Sequence, residues 1–137
     1  MELLPSGLPE WVADDENLAR FLTSSSQFNS IMAKPSAFLP NPKNRETSVF
    51  RHGSEPKSGL IEIAGAHITG DRAPRGAAIC KALQVRMARL EVMAQEPPRR
   101  HGNIGGWPWS EDDPELARAQ RKDLAILIAK DAELILF

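Results

Sequence analysis

The sequence is poor in the features that mark secreted and membrane-spanning proteins. Cys80 is its only cysteine, so no disulfide can form within the chain and a disulfide-stabilised secreted scaffold is excluded. No apolar run approaches the ~20 residues that a membrane-spanning helix needs, because the longest candidate, residues 124–137, contains Lys130, Asp131 and Glu133. The N-terminus shows no basic segment followed by an apolar core, so we expect no secretory signal. These absences indicate a cytoplasmic protein without a membrane partner.

The sequence also carries little net charge. Its 17 lysines and arginines against 18 acidic residues leave −1, and 42% of the residues are apolar. A disordered tail would have fewer apolar residues and more net charge. We therefore predict one folded domain that spans residues 1–137.

The charges are distributed unevenly along the chain. Residues 1–33 have a net charge of −4, residues 34–101 have +6, and residues 102–137 have −3. Arginines outnumber lysines eleven to six, and the planar guanidinium suits phosphate and carboxylate partners. The basic middle therefore favours an anionic partner, unless the acidic ends pack near it and the fields cancel.

No complete metal or nucleotide motif is present. The three histidines, His52, His67 and His101, lie 15 and 34 residues apart, and no His-x-x-x-His or Cys-x-x-Cys pair occurs. We therefore predict no structural zinc and no cofactor. The glycines at 102–106 match neither a P-loop nor a dinucleotide fingerprint. His67 has apolar neighbours and is predicted to be hydrogen-bonded and partly buried, and Cys80 to be a buried, inert thiol in a helix.

Apolar periodicity and turn residues predict the secondary structure. Four helices are expected, at residues 14–23, 55–69, about 79–90 and 114–131. Ser54 is a possible N-cap of the second helix, and Asp113 with Pro114 begins the last. Strands are expected at 46–51 and 90–93, with at most an edge strand at 36–39 in an extended segment over 34–45. Residues 133–137 form either a helix end or a closing strand, and residues 96–109 form an irregular loop.

These elements predict an α+β fold in which three or four helices cover a small, mostly antiparallel sheet.

The loop at 99–109 is the first candidate binding site. It combines the adjacent cations Arg99 and Arg100 with the indoles of Trp107 and Trp109, separated by glycines that let a ligand approach the backbone. Such a loop could bind an anion or a nucleotide. The alternative is that both indoles are buried in the hydrophobic core while the arginines are solvated.

The predicted strand at 46–51 carries a second set of candidates. Arg45, Arg51 and His52 flank or end this strand. If that end meets Arg100 and His101, the arginines could hold a phosphate while His101 or His52 transfers a proton. The alternative is that Arg51 pairs with a carboxylate such as Glu91 or Asp112, and that His52 is a turn residue.

Four segments of the middle part of the chain are taken together: Ala37-Phe38-Leu39-Pro40, Ser48-Val49-Phe50-Arg51, Arg100-His101-Gly102-Asn103-Ile104 and Gly106-Trp107-Pro108. In these segments the chain resembles small bacterial proteins of unassigned function. The resemblance spans residues 37–108 and implies no activity.

The leading hypothesis is a cytosolic bacterial binding or accessory module. It would recognise an anionic partner, namely a nucleic acid, a nucleotide or an acidic protein, through Arg45, Arg51, Arg99, Arg100, Trp107 and Trp109. One alternative is an enzyme of phosphoryl, nucleotidyl or ADP-ribosyl type, with a histidine as acid or base and arginines as clamps. Another is a protein-interaction or immunity-type subunit.

Overall fold

The computed structural model describes residues 3–52, 55–68 and 73–137. A 3-10 turn lies at Pro35–Ala37. The strands and helices are, in chain order, β1 (Asn17–Leu22), β2 (Thr47–Arg51), α1 (Lys57–His67), β3 (Gly76–Lys81), α2 (Ala82–Met87), β4 (Glu91–Ala94), β5 (His101–Gly105), α3 (Pro114–Lys130) and β6 (Glu133–Leu136). Within the described ranges, no helix is long and apolar enough to cross a membrane.

The six strands form one sheet in the order β4-β5-β2-β1-β3-β6. Every neighbouring pair is antiparallel. The predicted α+β class, with a mostly antiparallel sheet and three or four covering helices, is therefore confirmed. The sheet has three internal strands that the sequence did not predict, because β1 and β3 were expected to be helical and β5 to be part of a loop.

The two faces of the sheet bury separate apolar clusters, since successive side chains of a strand point to opposite faces. The first face packs against α2 and α3 and carries the larger cluster, which includes Leu18, Leu22, Val49, Ala125 and Ile128. The second face packs against α1, and its cluster includes Ala19, Phe21, Phe50, Leu60 and Ala64. Because α1 is short, it covers only part of the second face, and cavities lie beside it.

The predicted helix at 14–23 is wrong, since Asn17–Leu22 is strand β1. Of the three acidic residues that suggested a helix start, Asp14 and Glu16 have other partners. Glu16 accepts from the amide of Ala13 and pairs with Arg51, while Asp14 pairs with Arg86. These two ion pairs link the segment before β1 to β2 and to α2 instead of stabilising a helix terminus.

The predicted helix at 79–90 is also wrong over its first part. Residues 76–80 are buried on both faces of the sheet as β3, and the helix is confined to α2. A short run that is apolar on both sides is typical of an internal strand. Cys80 accordingly lies in a strand rather than in a helix.

Strand β5 was missed inside the loop predicted at 96–109. Its glycines and asparagine have low β propensity, yet they suit a crowded position between β4 and β2. A Cβ added at Gly102 would lie 3.0 Å from the carbonyl oxygen of Met93. The prediction of an edge strand at 36–39 is also wrong, because this proline-containing segment forms the 3-10 turn.

The other predicted elements are confirmed within one or two residues. They are β2, α1, β4, α3 and the closing strand β6. The carboxylate of Asp113 accepts from the amide of Leu116 at 3.1 Å, which is the predicted N-cap of α3. Ser54, the possible cap of α1, lies outside the described residues.

Candidate functional site

The sheet brings the two arginine-histidine pairs together. Strands β2 and β5 are neighbours, with Phe50 opposite His101, and the amide of Arg51 donates to the carbonyl oxygen of Arg100 at 2.8 Å. The backbones of both pairs therefore meet at one end of the sheet. Their side chains nevertheless separate, because alternate residues point to opposite faces.

Arg51 points into the first face and is 1% exposed. Its Nε and Nη2 donate to the carboxylate of Glu16 at 2.7 and 2.9 Å, and Nη1 donates to the carbonyl oxygen of Pro9 at 2.7 Å. The guanidinium is thus engaged on all sides. The structure supports the alternative in which Arg51 pairs with a carboxylate, with Glu16 in place of Glu91 or Asp112.

His52 is buried and lines neither cavity beside α1. Among the described residues, neither of its ring nitrogens has a hydrogen-bond partner. Burial lowers the pKa of His52, and nearby Arg100 adds to that effect, while Glu55 and Glu133 oppose it. The ring is therefore held in its neutral form without access to a ligand in either cavity.

Two adjoining cavities lie beside α1 on the second face, and His67 lines both. The α1 cavity, of ≈ 380 Å³, is lined by Glu55, Gly59, Glu62, Ile63, Ala66, His67, Arg99 and Arg100. The Arg20 cavity, of ≈ 330 Å³, is lined by Arg20, Phe21, Thr23, Gln27, Ser48, Phe50, His67, Ile68, Pro98 and His101.

The two cavities differ in charge. In the α1 cavity, Arg99 and Arg100 face Glu55 and Glu62, and Arg100 lies 3.4 Å from a carboxylate oxygen of Glu55. The described lining of the Arg20 cavity includes one guanidinium and two imidazoles but no carboxylate. The Arg20 cavity is therefore the electropositive one.

Arg20 occupies the point where β1 and β2 separate. The two strands pair only at Leu18 with Arg51 and at Ala19 with Phe50. Beyond that point the Nε of Arg20 donates to the carbonyl oxygen of Ala37 at 2.7 Å, and its Nη1 donates to that of Ser48 at 3.0 Å. Burial lowers the pKa of Arg20, but a guanidinium stays protonated at neutral pH. Among the described residues, no carboxylate forms an ion pair with it.

His101 is held by hydrogen bonds on both ring nitrogens. Nδ1 lies 2.9 Å from the carbonyl oxygen of Gln95, and Nε2 lies 2.7 Å from the hydroxyl oxygen of Ser48. A carbonyl can only accept, so Nδ1 is the donor and Nε2 of the neutral ring accepts from the Ser48 hydroxyl. The ring edge contacts Phe50 with 5.3 Å between centroids. Ser48 and His101 thus present a hydrogen-bonded hydroxyl and imidazole to the Arg20 cavity.

His67 approaches the same cavity from the end of α1. It is half-buried, as expected, and stacks on the ring of Phe50 with 4.9 Å between centroids. Phe50 therefore lies between the two imidazoles and fixes their spacing.

The remaining predicted residues lie elsewhere. Arg45, Trp107 and Trp109 line a third cavity, of ≈ 440 Å³, beside β4 and β5. Trp107 is 5% exposed and donates from Nε1 to the carbonyl oxygen of Ile104 at 3.2 Å, so it belongs to the core. The ring of Trp109 is contacted by the guanidinium groups of Arg45 and Arg121, 4.8 and 3.8 Å from its centroid. The loop predicted as one site is therefore divided, with Arg99, Arg100 and His101 at α1 and the indoles apart from them.

Cys80 is buried, and burial raises its pKa to about 12. A thiol with so high a pKa is a poor nucleophile near neutral pH, as the sequence suggested.

Sequence reasoning missed Arg20, Ser48 and Gln27. Arg20 was assigned to a helix. Ser48 could be recognised as a site residue only from the pairing of β2 with β5, which places His101 beside it. The sequence signal that could have identified Ser48 is the alternation of side chains along β2, which puts Ser48 on the same face of the sheet as Phe50.

No family model matches this chain, and neither a curated protein nor a solved structure matches it.

Proposed function

We propose that the protein is a binding module for a small anionic ligand, a phosphate-bearing molecule of nucleotide size or smaller, and that the anion binds in the Arg20 cavity. One observation carries this proposal. The guanidinium of Arg20 is half-buried and bound by two carbonyl oxygens, with no carboxylate among the described residues to balance its charge. A buried charge without a counter-charge is costly, and a bound anion would supply the missing charge.

The rest of the cavity supports the same ligand class. The imidazoles of His67 and His101 lie on its wall, and a ring N–H of His67 can donate to an anion. Thr23 and Gln27 add a hydroxyl and an amide. In the adjoining α1 cavity Arg100 is paired with Glu55, so Arg99 is the cation there that is left to contact a larger part of the ligand.

Size and shape favour a small molecule over a nucleic acid or an acidic protein. A volume of ≈ 330 Å³ falls in the range of small-ligand pockets, roughly 300–1,000 Å³. The exposed arginines among the predicted residues, Arg45 and Arg99, line different cavities and so do not form one basic stripe. A duplex would need such a stripe along its phosphates.

A cytosolic location is part of the proposal, and the free, buried thiol of Cys80 supports it.

Isothermal titration calorimetry with inorganic phosphate and with AMP tests this function. We expect Arg20→Gln to weaken binding at least about tenfold, the loss of one charge-assisted hydrogen bond or more. The matched control is Arg121→Gln. Arg121 also donates to a backbone carbonyl, that of Pro108 at 2.9 Å, but lies outside the cavity, so its loss should leave affinity unchanged.

Because Arg20 also bridges two backbone segments, a thermal unfolding curve must accompany each titration. If Arg20→Gln does not fold, His67→Gln serves instead, since His67 lines the cavity at the exposed end of α1. The proposal is contradicted if the wild type binds neither ligand, or if the folded cavity variants bind as the wild type does.

A further inference from the structure

Ser48 and His101 have the arrangement of an activated nucleophile and its base. The hydroxyl of Ser48 donates to Nε2 of His101 at 2.7 Å, and Nδ1 of the same ring donates to the carbonyl oxygen of Gln95 at 2.9 Å. A base within hydrogen-bond reach of the nucleophile, itself oriented by a third group, is the general signature of nucleophilic catalysis. We infer that Ser48 is a nucleophile and His101 its general base, acting on small esters that carry an anionic group.

The position of the pair sets it apart from an ordinary surface hydrogen bond. Both side chains are half-buried and line the same cavity as the guanidinium of Arg20. The ring of His101 is fixed by the Gln95 carbonyl and by its edge contact with Phe50. Nε2 is therefore held toward the hydroxyl in the tautomer that can accept a proton.

The cavity also holds positive charge near the backbone of Ser48. Nη1 of Arg20 donates to the backbone carbonyl of Ser48, the residue that carries the nucleophile. The Oε1 atom of Gln27 accepts from the amides of Thr23 and Ser24, at 2.9 and 3.2 Å, which fixes a side-chain amide on the cavity wall. Fixed donors and charges near developing negative charge stabilise a transition state. The inference rests on the proposed function, because the anion site must hold the substrate beside Ser48.

The proposed reaction is hydrolysis of the ester through an acyl group on Ser48, and it needs neither a metal nor a redox partner. The Oγ of Ser48 attacks the carbonyl carbon of the ester, and its proton moves to Nε2 of His101. The ester C–O bond breaks, and the alcohol leaves with that proton. His101 then takes a proton from water, the resulting hydroxide displaces the acyl group as a carboxylic acid, and Ser48 regains its proton.

The third member of the arrangement is a neutral carbonyl rather than a carboxylate. It orients the ring but stabilises the imidazolium less than a negative charge would. We therefore expect slow turnover, and covalent labelling of Ser48 is the more direct measurement.

To test this inference, the full chain is treated with a fluorophosphonate, and covalent labelling is followed by mass spectrometry. Attack by Oγ forms an O–P bond and expels fluoride. We expect labelling of the wild type on Ser48, none for Ser48→Ala, and labelling at least about a hundredfold slower for His101→Gln, the usual contribution of a general base. Ser36→Ala is the matched control, because the Ser36 hydroxyl donates to the carbonyl oxygen of Ser26 outside the cavity. It should be labelled as fast as the wild type.

Two further readouts separate a chemical role from a structural one. Ser48→Ala keeps the backbone carbonyl that accepts from Arg20, so it should fold, and a thermal unfolding curve checks this. In the wild type, phosphate should slow labelling.

Phosphate binding without labelling of Ser48 would overturn the inference and leave the binding function standing. Labelling that persists in Ser48→Ala would also overturn it. Labelling of Ser48 without any phosphate binding would contradict the proposed function instead.

Discussion

The amide of Arg51 donates to the carbonyl oxygen of Arg100 at 2.8 Å, although nearly fifty residues separate the two in the sequence. This bond belongs to the pairing of β2 with β5. It fixes the register that directs Arg51 into the core and sets His101 beside Ser48 on the opposite face. One antiparallel pairing thus provides both a buried ion pair that stabilises the fold and the wall of the Arg20 cavity.

The ion pair of Arg51 with Glu16 gives the first prediction. Arg51 is buried, so Glu16→Gln leaves its charge without a counter-charge. We expect the free energy of unfolding to fall by about 3 kcal/mol, as for other broken buried pairs. Urea unfolding measures this. Asp14→Asn is the matched control, since Asp14 pairs with Arg86 but its side chain is 60% exposed, and its loss should be under about 1 kcal/mol. Equal losses in the two variants would contradict the assignment.

The sequence identified the elements whose local signals agree with their surroundings. The helix α3 has an N-cap, a proline at its first position and a regular apolar stripe, and it was predicted almost to the residue. The strand β2 was found through its β-branched and aromatic residues. Elements whose identity depends on their neighbours were missed. Strand β5 has poor intrinsic propensity and exists because β4 and β2 flank it.

The candidate site was predicted only in part, for the same reason. Arg99, Arg100 and His101 do lie at cavities beside α1. Arg20 and Ser48 come from strands whose pairing, not their local sequence, brings them to His101. The sequence could suggest that the two arginine-histidine pairs meet, but the face that each side chain takes follows from register.

The helix cap of α3 gives a second prediction. The carboxylate of Asp113 accepts from the amide of Leu116, so Asp113→Ala should cost about 1 kcal/mol of unfolding free energy. Asp112→Ala serves as control, because Asp112 lies one residue earlier near the same helix terminus but is not the cap. Chemical denaturation of both variants checks this, and an equal loss in Asp112→Ala would show that general charge, rather than the cap, stabilises the helix.

The buried His52 predicts a dependence on acid. Burial lowers its pKa in the folded protein, so the unfolded chain binds a proton more readily below the ordinary value of 6.5. Stability should therefore fall as the pH drops below 6.5, and a His52→Phe variant should lose less over that interval. Proton NMR of the ring should give a titration midpoint below 6.5. A midpoint at or above that value would contradict the assignment.

Cys80 predicts a dependence on alkali. Its pKa rises from 9.0 to about 12 in the folded protein, so the unfolded chain releases the thiol proton first as the pH rises. The contribution of Cys80 to stability is present below pH 9 and should be lost progressively between pH 9 and about 12. The Cys80→Ala variant should lack this part of the alkaline loss. At pH 8, a thiol reagent should react with the wild type only after denaturation, and rapid reaction with the native protein would show that the thiol is accessible.

We propose that an anion binds beside Arg20, His67 and His101. The most direct test is a titration with inorganic phosphate followed by NMR of the arginine Nε–H and imidazole signals. Signals of those three residues should shift together with one saturation curve, while that of Arg51, enclosed by Glu16 and Pro9, stays in place. Shifts confined to the exposed arginines Arg45 and Arg99, or no saturable shift at Arg20, would contradict the claim.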